Sequence, residues 1–130
     1  MATTQKTGSR QAAQYPRRGE IFLTALDPTL GQEIRKTRPA LIVQNDISNR
    51  TSLVTTLAPI TSTVRFPLNP VHVLLAAGPE TGLAVTSVAL FNQLRAVDRM
   101  RLVKRLGQVD EETLALVDEA IKISLGLTKL

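Results

Sequence analysis

Val103-Lys104-Arg105-Leu106-Gly107-Gln108-Val109-Asp110-Glu111-Glu112-Thr113-Leu114-Ala115-Leu116-Val117 spans the point where the chain changes period. Val103 to Val109 reads as a strand. Beyond it Leu114, Val117, Ile121 and Leu125 recur at helical spacing, and Leu116, Ala120 and Ile123 widen that apolar face. Asp110 predicts an N-cap, with Glu111 and Glu112 at the positive end of the helix dipole. Gly126 predicts the C′ terminator. One amphipathic helix therefore closes the chain, and what precedes it decides the fold class.

Working back towards the N-terminus, the segments are short and strand-like. Glu20 to Leu26 alternates loosely, and Ala40 to Val43 is an unbroken apolar run, as in a strand buried on both faces. Asp46 to Arg50 predicts a turn. Leu53 to Ala58 is strand-like, and Pro59, before Ile60 and Thr61, predicts an edge or a bend. Val71 to Leu75, Val85 to Phe91 and Leu94 to Val97 predict further strands, with a turn at Gly78-Pro79-Glu80-Thr81-Gly82. Short strands followed by one helix make the chain mainly β with a C-terminal helix, as a small β-barrel or compact sheet on which the helix packs. Residues 1–15 are polar, without apolar periodicity, and predict a disordered tail; residues 16–130 predict a single domain.

Composition narrows the classes. The chain has no Cys, which excludes a disulfide framework and thiolate zinc sites. No stretch approaches the roughly 20 apolar residues that cross a bilayer, and the N-terminus lacks the apolar core of a secretory signal. The expectation is a cytoplasmic protein with no membrane association. The net charge of +5 comes from 16 Lys and Arg against 11 Asp and Glu. Four of those cations (Lys6, Arg10, Arg17, Arg18) lie in the first 18 residues, leaving 12 against 11 for the rest. Clustering says more than the sum: cations gather at Arg35 to Arg38 and Arg95 to Arg105, and five anions between Asp110 and Glu119.

Gly31-Gln32-Glu33-Ile34-Arg35-Lys36-Thr37-Arg38-Pro39 lies between the first two strand-like runs and holds one carboxylate, three cations and a hydroxyl. Loops fixed by a scaffold are where binding and catalytic groups gather, and this one suits phosphate. Walker, Rossmann and HExxH patterns are absent. The single histidine, His72, sits at an alternating strand position and reads as structural or surface-facing. The acids show no metal-ligand spacing, so no metal or other cofactor is expected. Metal-free phosphodiester chemistry remains, in which an RNA 2′-hydroxyl attacks the adjacent phosphorus. Arg38, extended before Pro39, suits charge stabilisation; Glu33 suits proton transfer; Thr61 suits a hydrogen bond to phosphate. On residue types alone, a solvated loop with surface charges accounts for the same residues, and both readings stay open. Aromatics are few: Tyr15, Phe22, Phe66 and Phe91, so a stacking platform for single strands is mostly lacking.

Taken in order, the motifs resemble the MazF/PemK family. They are Arg18-Gly19-Glu20-Ile21-Phe22, Gly31-x-Glu33, Lys36-x-Arg38-Pro39, Leu41-Ile42-Val43-Gln44-Asn45-Asp46, Ala58-Pro59-Ile60-Thr61-Ser62 and Gln93-Leu94-Arg95-Ala96-Val97-Asp98. The resemblance covers roughly Pro16 to Leu130. It implies an SH3-like small β-barrel acting as a homodimer. It also implies a sequence-specific endoribonuclease toxin of a toxin–antitoxin pair. Such toxins cut single-stranded RNA without a metal, leaving a 2′,3′-cyclic phosphate and a 5′-hydroxyl.

By position the resemblance makes Arg38, Thr61 and Glu33 catalytic, and Arg35, Lys36, Asn45, Gln93 and Arg95 RNA-binding. The implied partner is a MazE-like antitoxin whose C-terminal segment occupies the RNA groove. Two departures stand out. The loop carries Gln32, Ile34, Arg35 and Thr37 where many members have smaller residues, and Asn92 stands where many carry an acid. Two competing readings are a non-catalytic toxin of the same fold that poisons gyrase by protein binding, and an idle SH3-like adaptor. The first has no need of Arg38 and Thr61, and the second would want an aromatic-lined groove.

Overall fold

The computed structural model describes residues 15–26 and 37–129. Its strands are β1 (Glu20–Thr24), β2 (Arg38–Ile42), β3 (Val54–Thr61), β4 (His72–Leu75), β5 (Ser87–Leu90), β6 (Arg95–Asp98) and β7 (Leu102–Gln108). Helix α1 (Asp46–Thr51) follows β2 and helix α2 (Glu111–Ser124) follows β7, with 3-10 turns at Phe91–Gln93 and Arg99–Arg101. The seven strands form one sheet in the order β4-β5-β3-β2-β1-β7, with β6 paired to β3 off that path. All these pairings are antiparallel. The sheet wraps in the manner of a small barrel without closing, since β4 and β7 remain its ends. No described helix is long and apolar enough to cross a membrane.

The unbroken apolar run that ends β2 has a two-sided explanation. Leu41 packs into one core cluster with Ile21, Ala58, Phe91 and Val117, while Ala40 and Ile42 pack into the other with Leu26, Leu57 and Val97. Successive strand residues point to opposite faces, so a strand with a core on each side needs no polar alternation. Phe91, fully buried, stabilises the larger cluster by about 2–3 kcal/mol.

Helix α2 covers that larger cluster through Val117 and Ala120, with Leu114 and Ile121 half-buried beside them. Its ends are set as expected. Asp110 accepts the Thr113 N–H at 2.8 Å. Gly126, at φ +77°, turns the chain so that its N–H reaches the Ile123 carbonyl and the Leu127 N–H reaches that of Lys122. Leu116 and Leu125 differ from expectation, each 60 % exposed, because the buried stripe is narrower than the apolar one.

One further expectation changes. Asp46 to Arg50 is not a turn but lies in helix α1, because Asn45 accepts the Ser48 N–H at 2.8 Å and so caps a helix. Asx residues favour turns and helix N-termini through the same local hydrogen bond, and only the following backbone decides between them. At Pro59 the expectation is an edge or a bend. β3 runs on to Thr61 and changes partner: Pro59 faces Ala40 of β2, whereas Ile60 and Thr61 face Ala89 and Val88 of β5.

The corner before β1 is heavily tied. Gly19, at φ +94°, donates to the Ile42 carbonyl at 2.8 Å and accepts from the Val109 N–H at 2.9 Å. The Arg18 guanidinium donates to the Val43 carbonyl at 2.9 Å and to the Asp118 carboxylate, and its N–H donates to Asp46 at 2.7 Å. Glu20 accepts from the Arg17 N–H and from Arg105 Nε.

Candidate active site

Arg38 opens β2 and is exposed. The β2–β3 register pairs Ile42 with Leu57, Leu41 with Ala58 and Ala40 with Pro59. Arg38 and Thr61, the last residue of β3, lie just beyond the last β2–β3 pair, where β3 passes from β2 to β5. Both line one concavity of about 330 Å³, with Pro39, Ser62, Thr63 and Ser87 among its walls. A second, of about 320 Å³, is lined by Thr61 and Thr63 again and continues to Arg65, Asn69, His72 and Gln93. The shared threonines make the two concavities one groove.

Two features suit this groove to an anion. The Thr61 hydroxyl oxygen accepts the Thr63 N–H at 3.2 Å, which occupies a lone pair and leaves the hydroxyl proton free to donate. The Arg38 guanidinium forms no ion pair or hydrogen bond among the described residues, so its donors face the groove uncommitted. At the other end, Gln93 closes the turn that begins at buried Phe91. That turn is anchored by helix α2, whose Ser124 hydroxyl donates to the Phe91 carbonyl at 2.6 Å. Another concavity, of about 340 Å³, lies beside Glu80, Arg105 and Asp110. Its cation is already engaged, since Arg105 donates to Glu20 and Gln108.

Of the residues expected at the site, Arg38, Thr61 and Gln93 line the groove. Asn45 lines neither concavity; it caps α1 beyond the opposite end of β2. Arg95, at the start of β6 and exposed, lines neither as well. Glu33, Arg35 and Lys36 lie outside the described residues, as do residues 1–14 of the tail expected over residues 1–15. Among the described residues no group of three His, Cys, Asp or Glu is placed to hold a metal.

The groove also contains residues that sequence reasoning passed over. His72 is half-buried in its wall, across from Leu90, with Asn69, Arg65 and Asn92 nearby. The alternation of β4 held the signal: Val73 and Leu75 point into the core, which sends His72 and Leu74 the other way. That the other way is a groove wall is not visible in the alternation.

The model of one protein family, the PemK-like, MazF-like toxins of type II toxin–antitoxin systems, matches residues 17–125. The chain belongs to this family. It is similar to the endoribonuclease EndoA of Bacillus subtilis strain 168, 38 % identical over 111 residues, which cover 85 % of this chain and 95 % of that protein. It is also 40 % identical over 116 residues to the endoribonuclease MazF9 of Mycobacterium tuberculosis H37Rv, covering 85 % and 97 %. A solved mycobacterial endoribonuclease in complex with its cognate antitoxin superposes with a TM-score of 0.71 at 25 % identity, covering 88 % of this chain and 99 % of that one. For this PemK/MazF-like chain, the tied corner at Arg18 and the open groove at Arg38 are two parts of one ordered motif set.

Proposed function

We propose that the chain is the toxin of a type II pair and acts as a sequence-specific, metal-independent endoribonuclease on single-stranded RNA. The observation that carries this reading is that Arg38, whose guanidinium has no partner among the described residues, and Thr61, whose hydroxyl proton is free to donate, line one groove. The activity belongs to a single domain over residues 16–130, with residues 1–15 as a tail.

In the reaction the substrate 2′-oxygen bonds to phosphorus and the bond from phosphorus to the 5′-oxygen breaks. The products are a 2′,3′-cyclic phosphate and a 5′-hydroxyl. One proton leaves the 2′-oxygen and one must reach the departing 5′-oxygen. Arg38 stabilises the charge added to the phosphorane and is the donor to the leaving oxygen, a role that a rigid guanidinium fork fits. Thr61 holds a non-bridging phosphate oxygen, and Glu33 assists removal of the 2′ proton. Arg35, Lys36 and Arg95 serve the phosphates on either side, while Gln93 and Asn45 are assigned to RNA binding. The protein works as a homodimer in the cytoplasm, and a MazE-like antitoxin restrains it by occupying the groove. The solved relative bound to its cognate antitoxin supports that partnership.

Purified protein incubated with a long RNA in EDTA tests the proposal, with cut sites mapped in the presence and absence of the neighbouring gene's product. Discrete cuts bearing cyclic phosphates, suppressed by that product, are expected. Cleavage only on addition of magnesium would overturn the mechanism.

A further inference from the structure

We infer that Phe66 is a stacking platform for one unpaired base of the RNA, set with Arg65 at the end of the groove away from Arg38. The inference rests on the endoribonuclease reading above and adds a binding residue to it.

The chain has three Phe, one Tyr and no Trp. Phe91 is 0 % exposed, and Phe22 packs half-buried against the smaller core cluster. The Tyr15 ring is covered by the Arg17 guanidinium, 5.3 Å from its centroid. Phe66 is 71 % exposed. It is thus the described aromatic whose face the fold leaves unused, and leaving a phenyl in water forgoes the stabilisation that burial would supply.

Its position gives that exposure a use. Arg65 and Pro67, its chain neighbours, both line the concavity that continues from Thr61 to Gln93, so Phe66 lies in the segment that borders the groove, its own exposed ring outside the lining residues. The segment is tethered near β4: the Val71 N–H donates to the Asn69 side-chain oxygen and the His72 N–H to the Asn69 carbonyl, each at 2.9 Å. With that oxygen occupied, the Asn69 side-chain amide keeps its donors for a ligand. Asn92, Gln93 and His72 add further polar edges to the same wall.

An aromatic face beside a guanidinium and a cluster of amides matches single-stranded RNA. The base stacks on the ring, its edge meets the amides, and the cation serves the adjoining phosphate. Phe66 is five residues from Thr61, so their Cα atoms lie within about 17 Å of each other. The proposal puts the ring on a base beside the scissile phosphate and not on the reacting atoms. Its loss should therefore weaken binding and spare the chemical step.

The test uses the full chain and an RNA oligonucleotide spanning a mapped cut site, made uncleavable by a 2′-deoxy substitution at the scissile nucleotide. Fluorescence anisotropy is expected to show Phe66→Ala binding about 5- to 150-fold more weakly, the range measured for loss of one base–aromatic stack. Phe66→Trp should restore affinity and Phe66→Leu should not, because stacking needs a π-face. On cleavable RNA the loss should fall on KM rather than kcat. An abasic nucleotide at one position should weaken the wild type and leave Phe66→Ala unaffected.

Equal affinity of wild type and Phe66→Ala in a protein that still cuts RNA would overturn this inference and leave the endoribonuclease reading intact. Full rescue by Phe66→Leu would overturn it as well. So would a Phe66→Ala protein that loses antitoxin binding alone, which would make the ring a protein contact. A wild-type protein that neither binds nor cuts RNA would overturn both readings together.

Discussion

Arg18 and Arg38 each stand just before or at the start of a strand, and their surroundings are opposite. Arg18 is committed: its side chain, 27 % exposed, holds the Val43 carbonyl and the Asp118 carboxylate, and its backbone holds Asp46. That one residue ties the entry to β1 to helices α1 and α2. Arg38 has no such partner among the described residues and faces a groove. A cation held by a carbonyl and a carboxylate inside the fold adds to stability and has less left for a ligand. A cation held in place by its backbone, with its donors unmet, contributes little to stability and is ready for one. The difference separates an arginine spent on the fold from one left available to a ligand.

The comparison can be broken most sharply at Arg38. Arg38→Ala should lower the cleavage rate by about 10²–10³-fold, the usual loss when one preorganised electrostatic donor is removed. Its urea unfolding midpoint should stay unchanged, since the guanidinium has no described partner to lose. Thr61→Ala should cost less, roughly 1.5–3 kcal/mol of transition-state stabilisation for one charge-assisted hydrogen bond. Single-turnover rates at saturating RNA check this, and an unchanged rate removes Thr61 from the site.

Arg18→Ala should show the inverse pattern. A half-exposed ion pair is worth little by itself, but the buried end of the side chain also satisfies a carbonyl. The combined loss should be about 1–2 kcal/mol of stability, read by urea unfolding. Cleavage by the folded protein should persist. A normal midpoint with lost activity would reverse the assignment of the two arginines.

The smallest effect is expected at Asp110, on the committed side of the molecule. Hydrogen bonds from Thr113, through its side chain and its N–H, hold the Asp110 carboxyl below its ordinary value. A carboxyl lowered in the folded state contributes stability that is present above its unfolded pKa and lost as pH falls through the folded one. Asp110→Asn keeps a capping side chain, so it should match the wild type at neutral pH and lose less stability on acidification. Thermal unfolding followed from neutral to acid pH distinguishes the two. Parallel curves would mean that the carboxylate charge at this cap does not matter.

Much of the fold was legible because its signals are local. The strands around Ile21, Leu41 and Leu57, the Asp110 cap, the helical spacing of Leu114, Val117 and Ile121, and the Gly126 terminator all appear within a few residues of chain. Where local signals are shared by two structures, the reading failed: Asp46 to Arg50 carries the same Asx chemistry as a turn but is a capped helix. Leu116 and Leu125 lay on the apolar side of the pattern yet remain in solvent, because α2 docks through a narrower stripe than its sequence offers. At the site, Arg38, Thr61 and Gln93 were identifiable by residue type and motif. His72 and Phe66 were not, since a lone histidine in a strand and a phenylalanine near prolines are unremarkable as letters.

By itself the sequence determined the change from strand to helix at Asp110, the two-sided apolar character of β2 and the family to which the ordered motifs belong. These depend on side-chain period and on residue identity at short spacing, which exist in the unfolded chain. Only the tertiary structure decided that Arg38 and Thr61 line one groove, that Arg18 is spent on Asp118, and that exposed Phe66 lies between two groove-lining residues. Each of these joins segments or surfaces whose proximity is set by strand register and helix docking. A shift of one residue between β2 and β3 would leave every local pattern intact and turn the side chains of one strand to the opposite face.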